Sequence, residues 1–156
     1  MFSLKQAKAS LLRSELHNEQ TFYDAFIKDM QRAKKSIIIE SPFITKRRLD
    51  QLMPYLKDAT KRGVRIVINT RDPISHDESM RQQAADGVGT LQDLDITVLY
   101  TGNLHRKLAM IDNATLWEGS LNILSQSTSS EIMRRTSSPE LCQQVIKFTR
   151  LTKWYL

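Results

Sequence analysis

The chain has one cysteine, Cys142, among 156 residues, and only five glycines. A single thiol rules out an intramolecular disulfide, which suits a reducing compartment. Cys142 falls among Leu141, Val145 and Ile146, where a small core residue is expected rather than a nucleophile. Glycine is too sparse for a Gly-rich phosphate loop. Long apolar runs are also missing: no window reaches the length a membrane span needs. The start, Met1-Phe2-Ser3-Leu4-Lys5-Gln6, leads into a charged helical pattern rather than a secretory signal. The expectation is a soluble cytoplasmic protein. His17 and His76 have no Cys or His partner at metal spacing, which argues against a zinc site. Asp72 and Asp77-Glu78 read as solvated loop acids.

What is present is ordinary in bulk and basic in balance. Hydrophobic residues make up 40% and charged residues 26%, a soluble globular composition. The length allows one domain with a core of its own. Net charge is +6 and the pI is near 9.6, which favours an anionic partner such as nucleic acid or a phospholipid surface.

Periodicity gives a coarse outline. Residues 5–16 predict a helix, with Leu4, Ala7, Leu11 and Leu12 on one side. Asn18 is placed to cap a second helix carrying Phe22, Phe26, Ile27 and Met30. Ser36-Ile37-Ile38-Ile39-Glu40 reads as a buried strand that stops at Ser41-Pro42. Leu49, Leu52, Met53 and Leu56 mark a helix ending at Arg62-Gly63, and Val64 to Asn69 is the next strand. Residues 76–88 predict a polar helix ended by Gly87-Val88-Gly89, and Asp95 to Tyr100 a third strand. Leu104 to Ile111 alternates, with His105, Lys107, Ala109 and Ile111 on one side. Asn113-Ala114 turns into Thr115-Leu116-Trp117-Glu118, a hairpin. Glu131 to Arg134 is a further strand, and Pro139 starts a last helix. Strands alternating with helices predict a layered α/β fold with a mixed sheet. Gln126-Ser127-Thr128-Ser129-Ser130 is too short to separate domains.

The chemistry is concentrated in one stretch. His105-Arg106-Lys107-Leu108-Ala109-Met110-Ile111-Asp112 reads H-x-K-x4-D; Gly119-Ser120-Leu121-Asn122 and then Glu131 follow. Phosphodiester cleavage needs a nucleophile or base, a cation for the pentacovalent phosphorus, and a proton donor for the leaving oxygen. An imidazole can attack phosphorus or deliver a proton near neutral pH. An ammonium two residues away can neutralise the non-bridging oxygens. Ser120 and Asn122 can donate to the same oxygens, and Glu131 can accept from the far ring nitrogen of His105 and fix its tautomer. Asp112, at the turn end of the strand, is better placed to hold the strand end than to touch substrate. Arg106 alternates away from His105.

This set resembles the phospholipase D superfamily signature at His105, Lys107, Asp112, Gly119, Ser120, Asn122 and Glu131. Ile37 to Ile44 and Lys61-Arg62-Gly63-Val64-Arg65 are similar to phospholipase-D-like domains found as nucleases or appended to bacterial helicases. The resemblance implies an α/β sheet flanked by helices and a metal-independent mechanism with no cofactor. One His forms a phosphohistidine, a second His protonates the leaving oxygen and then activates water, and Lys and Asn hold phosphate. Two signatures build one such site. This chain carries one, so the expectation is a two-fold homodimer with His105 and Lys107 of both copies at the axis. A single domain is expected over 1–156, with N-terminal helices in 1–34 and the core in 35–156.

Short one-signature chains are similar to the endonuclease branch, which points to DNA or RNA. Lys46-Arg47-Arg48, Lys61-Arg62-Arg65 and Arg134-Arg135 are the basic residues expected to line the route of a phosphate backbone. A phospholipid or other phosphodiester hydrolase or transferase is the alternative, favoured by an exposed apolar rim. The third reading is a nucleic-acid-binding or dimerisation module of a helicase-like protein, with a helicase partner or fused domain.

Overall fold

The structure is a computed structural model, described over residues 13–125 and 127–156. Its centre is a mixed seven-stranded sheet in the order β1-β7-β6-β5-β2-β3-β4. The strands are β1 (Ser14–Asn18), β2 (Ser36–Glu40), β3 (Arg65–Thr70), β4 (Thr97–Tyr100), β5 (Leu108–Ile111), β6 (Thr115–Gly119) and β7 (Ile132–Ser137). β2, β3 and β4 run parallel; every other pairing is antiparallel.

The helices are α1 (Phe22–Arg32), α2 (Lys46–Lys61), α3 (Glu78–Gln92), α4 (Pro139–Thr149) and the short α5 (Thr152–Tyr155). The parallel strands are joined by α2 and α3, and both crossovers lie on the face that α1 also covers. There Ile37, Ile39, Ile66, Ile68, Ala109 and Trp117 meet Phe22, Phe26, Leu52 and Leu91. The alternate side chains, Ile38, Val67, Leu108, Met110 and Leu116, meet Cys142, Ile146 and Tyr155 beneath α4 and α5. β2 is therefore buried on both faces, which is why Ser36–Glu40 reads as an unbroken apolar run.

Two expectations are corrected. Residues 5–12 of the first predicted helix lie outside the described residues, but Ser14–Asn18 is the edge strand β1, paired with β7. Its partner lies more than a hundred residues away, as in the Ser14 Oγ to Thr136 Oγ1 bond of 3.1 Å, so local periodicity cannot reveal it. Asn18 serves the turn after this strand: Oδ1 accepts from the N–H groups of Gln20 and Thr21, and Thr21 is the N-cap of α1. The other correction concerns α3, which runs through Gly87 and Gly89 instead of ending there. A Cβ at Gly87 would stand 2.8 Å from Ile44 Cγ2, so this glycine permits close packing of α3 on the segment after β2. It is a packing glycine, not a terminator.

The hairpin turn is centred one residue before the expected Asn113-Ala114: Asp112 and Asn113, at φ 56° and 49°, are its left-handed pair, Ala114 N donates to Ile111 O at 3.0 Å, and residues 112–114 separate β5 from β6. Ser138 caps α4, its hydroxyl accepting from Leu141 N at 3.1 Å, with Pro139 in the first turn. Burial pushes the Cys142 thiol up to about 12. Native protein should therefore resist iodoacetamide at neutral pH and be alkylated only on unfolding. Rapid labelling of native protein, followed by mass spectrometry, would contradict this packing.

Candidate active site

His105 and Lys107 stand just before β5, not within it: the strand begins at Leu108. The ladder between β5 and β2 ends at the Leu108–Glu40 pair. Continued by two residues, it would set Arg106 opposite Pro42, which has no N–H to give. The alternation survives without the ladder. Arg106 turns toward the α4 side, like Leu108, while Lys107 turns the other way and bonds back toward His105.

Arg106 fixes this loop. Its Nε and Nη2 donate to Glu40 Oε1 and Oε2 at 2.7 and 3.0 Å. Glu40 has no exposed surface, and its Oε2 also accepts from Tyr155 OH at 2.7 Å and Asn69 Nδ2 at 2.8 Å. Thr101 Oγ1 donates to Asn69 Oδ1 at 2.9 Å, extending the network to the loop after β4. The bond to Glu40 raises the Arg106 guanidinium further above its ordinary value. A buried carboxylate is tolerated only when so fully paired.

The remaining signature residues divide between framework and site. Asp112 is framework: Oδ1 accepts from the N–H groups of Lys35 at 2.7 Å, Ser36 at 3.0 Å and Lys34 at 3.1 Å, tying the hairpin turn to the start of β2. Gly119 is required by contact, since a Cβ there would stand 2.1 Å from Ile132 O. Ser120 Oγ accepts from Ile132 N at 3.1 Å, so it pins the start of β7 beside the end of β6. Asn122 and Glu131 line one small polar cavity with Glu19, Tyr23, Arg48 and Ser125. Asn122 Oδ1 is buried without a partner among the described residues.

His105 is exposed, and its Nδ1 lies 3.4 Å from Lys107 Nζ. Lys107 Nζ donates to His105 O at 2.6 Å. The expected Glu131 to His105 hydrogen bond is not formed in the single chain: Nδ1 faces Lys107, and Nε2 has no partner among the described residues. Burial, then the charge of Arg71, pulls the Lys107 ammonium below its ordinary value, while Glu131 opposes the shift. Glu131, Lys107 and Arg71 thus share one electrostatic neighbourhood around the imidazole.

The basic residues are only partly gathered there. Arg48 lines the cavity with Asn122 and Glu131, its guanidinium 3.7 Å over the Tyr23 ring. Arg47 borders a neighbouring surface hollow with Thr45, Gln83 and Ser127. Lys46 is exposed and paired with Asp50 at 2.6 Å. Arg134 and Arg135 lie several residues along β7 from Glu131. Arg134 is exposed, while Arg135 donates from Nε and Nη2 to Asp29 at 2.8 and 2.9 Å, beside the Trp117 Nε1 to Asp29 bond. Arg135 is therefore an internal ion-pair member, not a free substrate contact. Arg62 is likewise engaged, by Asp58 and the Met30 carbonyl, and Arg65 opens β3 at the end opposite Arg71. Sequence reasoning missed Glu40, Asn69 and Tyr155; the one available signal was a charged residue closing an apolar strand run. Among the described residues no group of three or more His, Cys, Asp or Glu side chains is placed to hold a metal ion.

The family model for the cardiolipin synthase, PLD-like domain matches residues 26–152. The chain belongs to this family, within the phospholipase D superfamily of phosphodiester hydrolases and transferases. Among solved structures, it is similar to Nuc, a phospholipase D family member from Salmonella typhimurium: TM-score 0.69, 19% identity, 86% of this chain and 90% of that chain. It is also similar to NucT from Helicobacter pylori: TM-score 0.71, 19% identity, 90% of this chain and 96% of that one. Phosphatidylserine synthase from Haemophilus influenzae aligns with TM-score 0.67 at 12% identity, over 88% of this chain and 38% of that one. At these identities the likeness is one of fold. No curated protein matches the sequence.

Arg106→Met should destabilise by on the order of 2–3 kcal/mol, because Glu40 keeps its charge and loses its countercharge. That corresponds to a fall of roughly 5–10 °C in Tm by calorimetry. Glu40→Gln in the Arg106→Met background should recover part of it. An unchanged Tm for Arg106→Met would show that Glu40 does not depend on this pair.

Proposed function

We propose that the protein is a metal-independent nuclease that cleaves DNA or RNA through a phosphohistidine, at a site completed by a second copy of the chain. The observation that carries this reading is His105 itself: exposed, with Nε2 open and Nδ1 3.4 Å from Lys107 Nζ. In the proposed sequence, Lys107 turns from His105 to the phosphate and leaves Nδ1 to carry the ring proton; the unprotonated Nε2 of one His105 attacks phosphorus and the P–O bond to the leaving oxygen breaks. The second His105 gives that oxygen a proton. It then takes a proton from water, whose oxygen attacks phosphorus and releases the first imidazole. Lys107 and Asn122 hold the non-bridging oxygens, and Glu131 balances the charge around Lys107. Glu131 acquires its hydrogen bond to an imidazole only when substrate and second copy are in place.

The case for a second copy rests on number and surface. The chain holds one such histidine loop, and the proposed chemistry uses two imidazoles. Ile132, directly after Glu131, is 60% exposed, and Leu16 on the paired strand β1 is 67% exposed, giving apolar surface beside the site. A net charge of +6 supports a polyanionic substrate.

A phospholipid hydrolase or phosphatidyl transferase is the second reading. It is favoured by the family's description and by exposed Tyr100 at the end of β4 and exposed Ile74 in the short turn Pro73–Ser75 after β3. Incubation with single- and double-stranded DNA, RNA and phospholipid vesicles, all in EDTA, separates the two. The expected result is nucleic-acid cleavage that survives EDTA and is lost in His105→Ala, with the fold retained. Lipid turnover alone would replace the first reading with the second. Nucleic-acid binding without turnover would favour a binding module.

The rate should also fall on the alkaline side as Lys107 loses its proton. Its pKa is lowered, so this limb lies below the pH at which an ordinary lysine titrates. Burial first and then the Arg71 charge lower it, Glu131 opposes them, and His105 adjoins the ammonium. A pH profile of kcat/KM for wild type and Lys107→Arg checks this: the variant, whose cation does not titrate, should lose the part of the alkaline fall that Lys107 causes, and superimposable profiles would contradict it.

A further inference from the structure

Arg71, whose charge acts on Lys107, has no part in the proposed mechanism. It follows β3 directly, and its Nε donates to Leu104 O at 2.7 Å. Lys107 Nζ donates to the next carbonyl, that of His105, at 2.6 Å. Two cations are thus tied to successive carbonyls of the loop that bears the imidazole. The Arg71 guanidinium carbon stands 5.3 Å over the Phe43 ring, and Phe43 lies against the buried His76 ring at 5.0 Å. Held at Nε and on its face, the guanidinium leaves Nη1 and Nη2 without a hydrogen bond among the described residues. None of the ion pairs among those residues includes Arg71. Its neighbour Asp72 accepts instead from Ile74 N at 3.0 Å. A preoriented fork with no ion-pair partner among the described residues is a receptor for an oxyanion.

The count of charges decides which oxyanion. On the shared-site reading, two copies of Lys107 and of Asn122 already surround one phosphodiester, which carries a single negative charge. Two further guanidinium groups exceed what that phosphate can neutralise, while the phosphates on either side of it supply the missing charge. Tyr100, 50% exposed, pairs with Thr70 across β3 and β4, one residue before Arg71, and offers a face for a base to stack on.

We propose that Arg71 binds the phosphate next to the scissile one, so that the site selects a strand of consecutive phosphodiesters over an isolated one. This rests on the reading of His105 and Lys107 as a shared phosphodiesterase site. It gives that site a reason to prefer nucleic acid to a lipid headgroup.

Two arms test it. In the first, kcat/KM of wild type and Arg71→Ala is measured on a thymidine decamer and on bis(p-nitrophenyl) phosphate, which has one phosphodiester. The loss on the decamer should exceed the loss on the small diester by roughly ten-fold or more, with Arg71→Lys recovering part. Equal losses would place Arg71 at the reacting phosphate or in the loop's structure and overturn the proposal. In the second arm, decamer binding is followed by fluorescence anisotropy against salt, in the His105→Ala background with and without Arg71→Ala. Removing Arg71 should weaken binding and reduce the salt slope by about one ion per protomer. Superimposable salt titrations would overturn the proposal. If wild type turns over neither substrate, the nuclease reading fails, while the binding arm still decides the role of Arg71.

Discussion

A carboxylate without exposed surface demands a countercharge, and in this protein Glu40 takes its own from the loop that carries the candidate site. The bidentate Arg106–Glu40 pair holds the loop beyond the end of the sheet with Arg106 turned inward, and His105 and Lys107 flank it. Tyr155 reaches the same carboxylate from α5, and burial together with the Glu40 charge pushes its hydroxyl pKa upward. The phenol therefore stays protonated and keeps donating. A water-filled gap at this position would leave the loop free to move; the network leaves it one arrangement.

The loop has two sides, and the split follows from strand geometry. One parity of side chain is committed to the interior and the other to the site. Around it the signature works mostly as scaffolding. Asp112 collects backbone N–H groups, Gly119 lets β6 and β7 approach, and Ser120 locks Ile132. Each brings a distant segment to the imidazole at little conformational cost to the site itself. What remains open is a short list: Nε2 of His105, the cavity under Asn122, and the fork of Arg71.

Elements whose signal is local were readable in the sequence. The apolar Ile37-Ile38-Ile39 run and the helix start at Pro139 depend on a few adjacent residues and stand where they were read; the hairpin turn, read at Asn113-Ala114, is centred one residue earlier on Asp112-Asn113. Features that depend on distant partners were not readable. β1 exists because β7 pairs with it. Gly87 continues a helix because Ile44 lies against it. His105 and Lys107 fall outside β5 because Pro42, opposite Arg106 in the continued register, has no N–H for the ladder. Arg135 looked like half of a basic pair until Asp29, on another element, claimed it. The signature identified the family because its spacing is itself local, whereas Arg71, a lone arginine after a strand, carried no pattern at all.

A single signature per chain, completed by a second chain, is what the proposed site requires. Subunit mixing addresses it directly. Wild type and His105→Ala are unfolded together, refolded at equal amounts, and assayed on the nucleic-acid substrate of the wild type. If each site needs an imidazole from both copies, only the pure wild-type pairs cut, and activity falls to about one quarter. Activity at about one half of the all-wild-type value would show that each chain works alone, and would contradict the shared site.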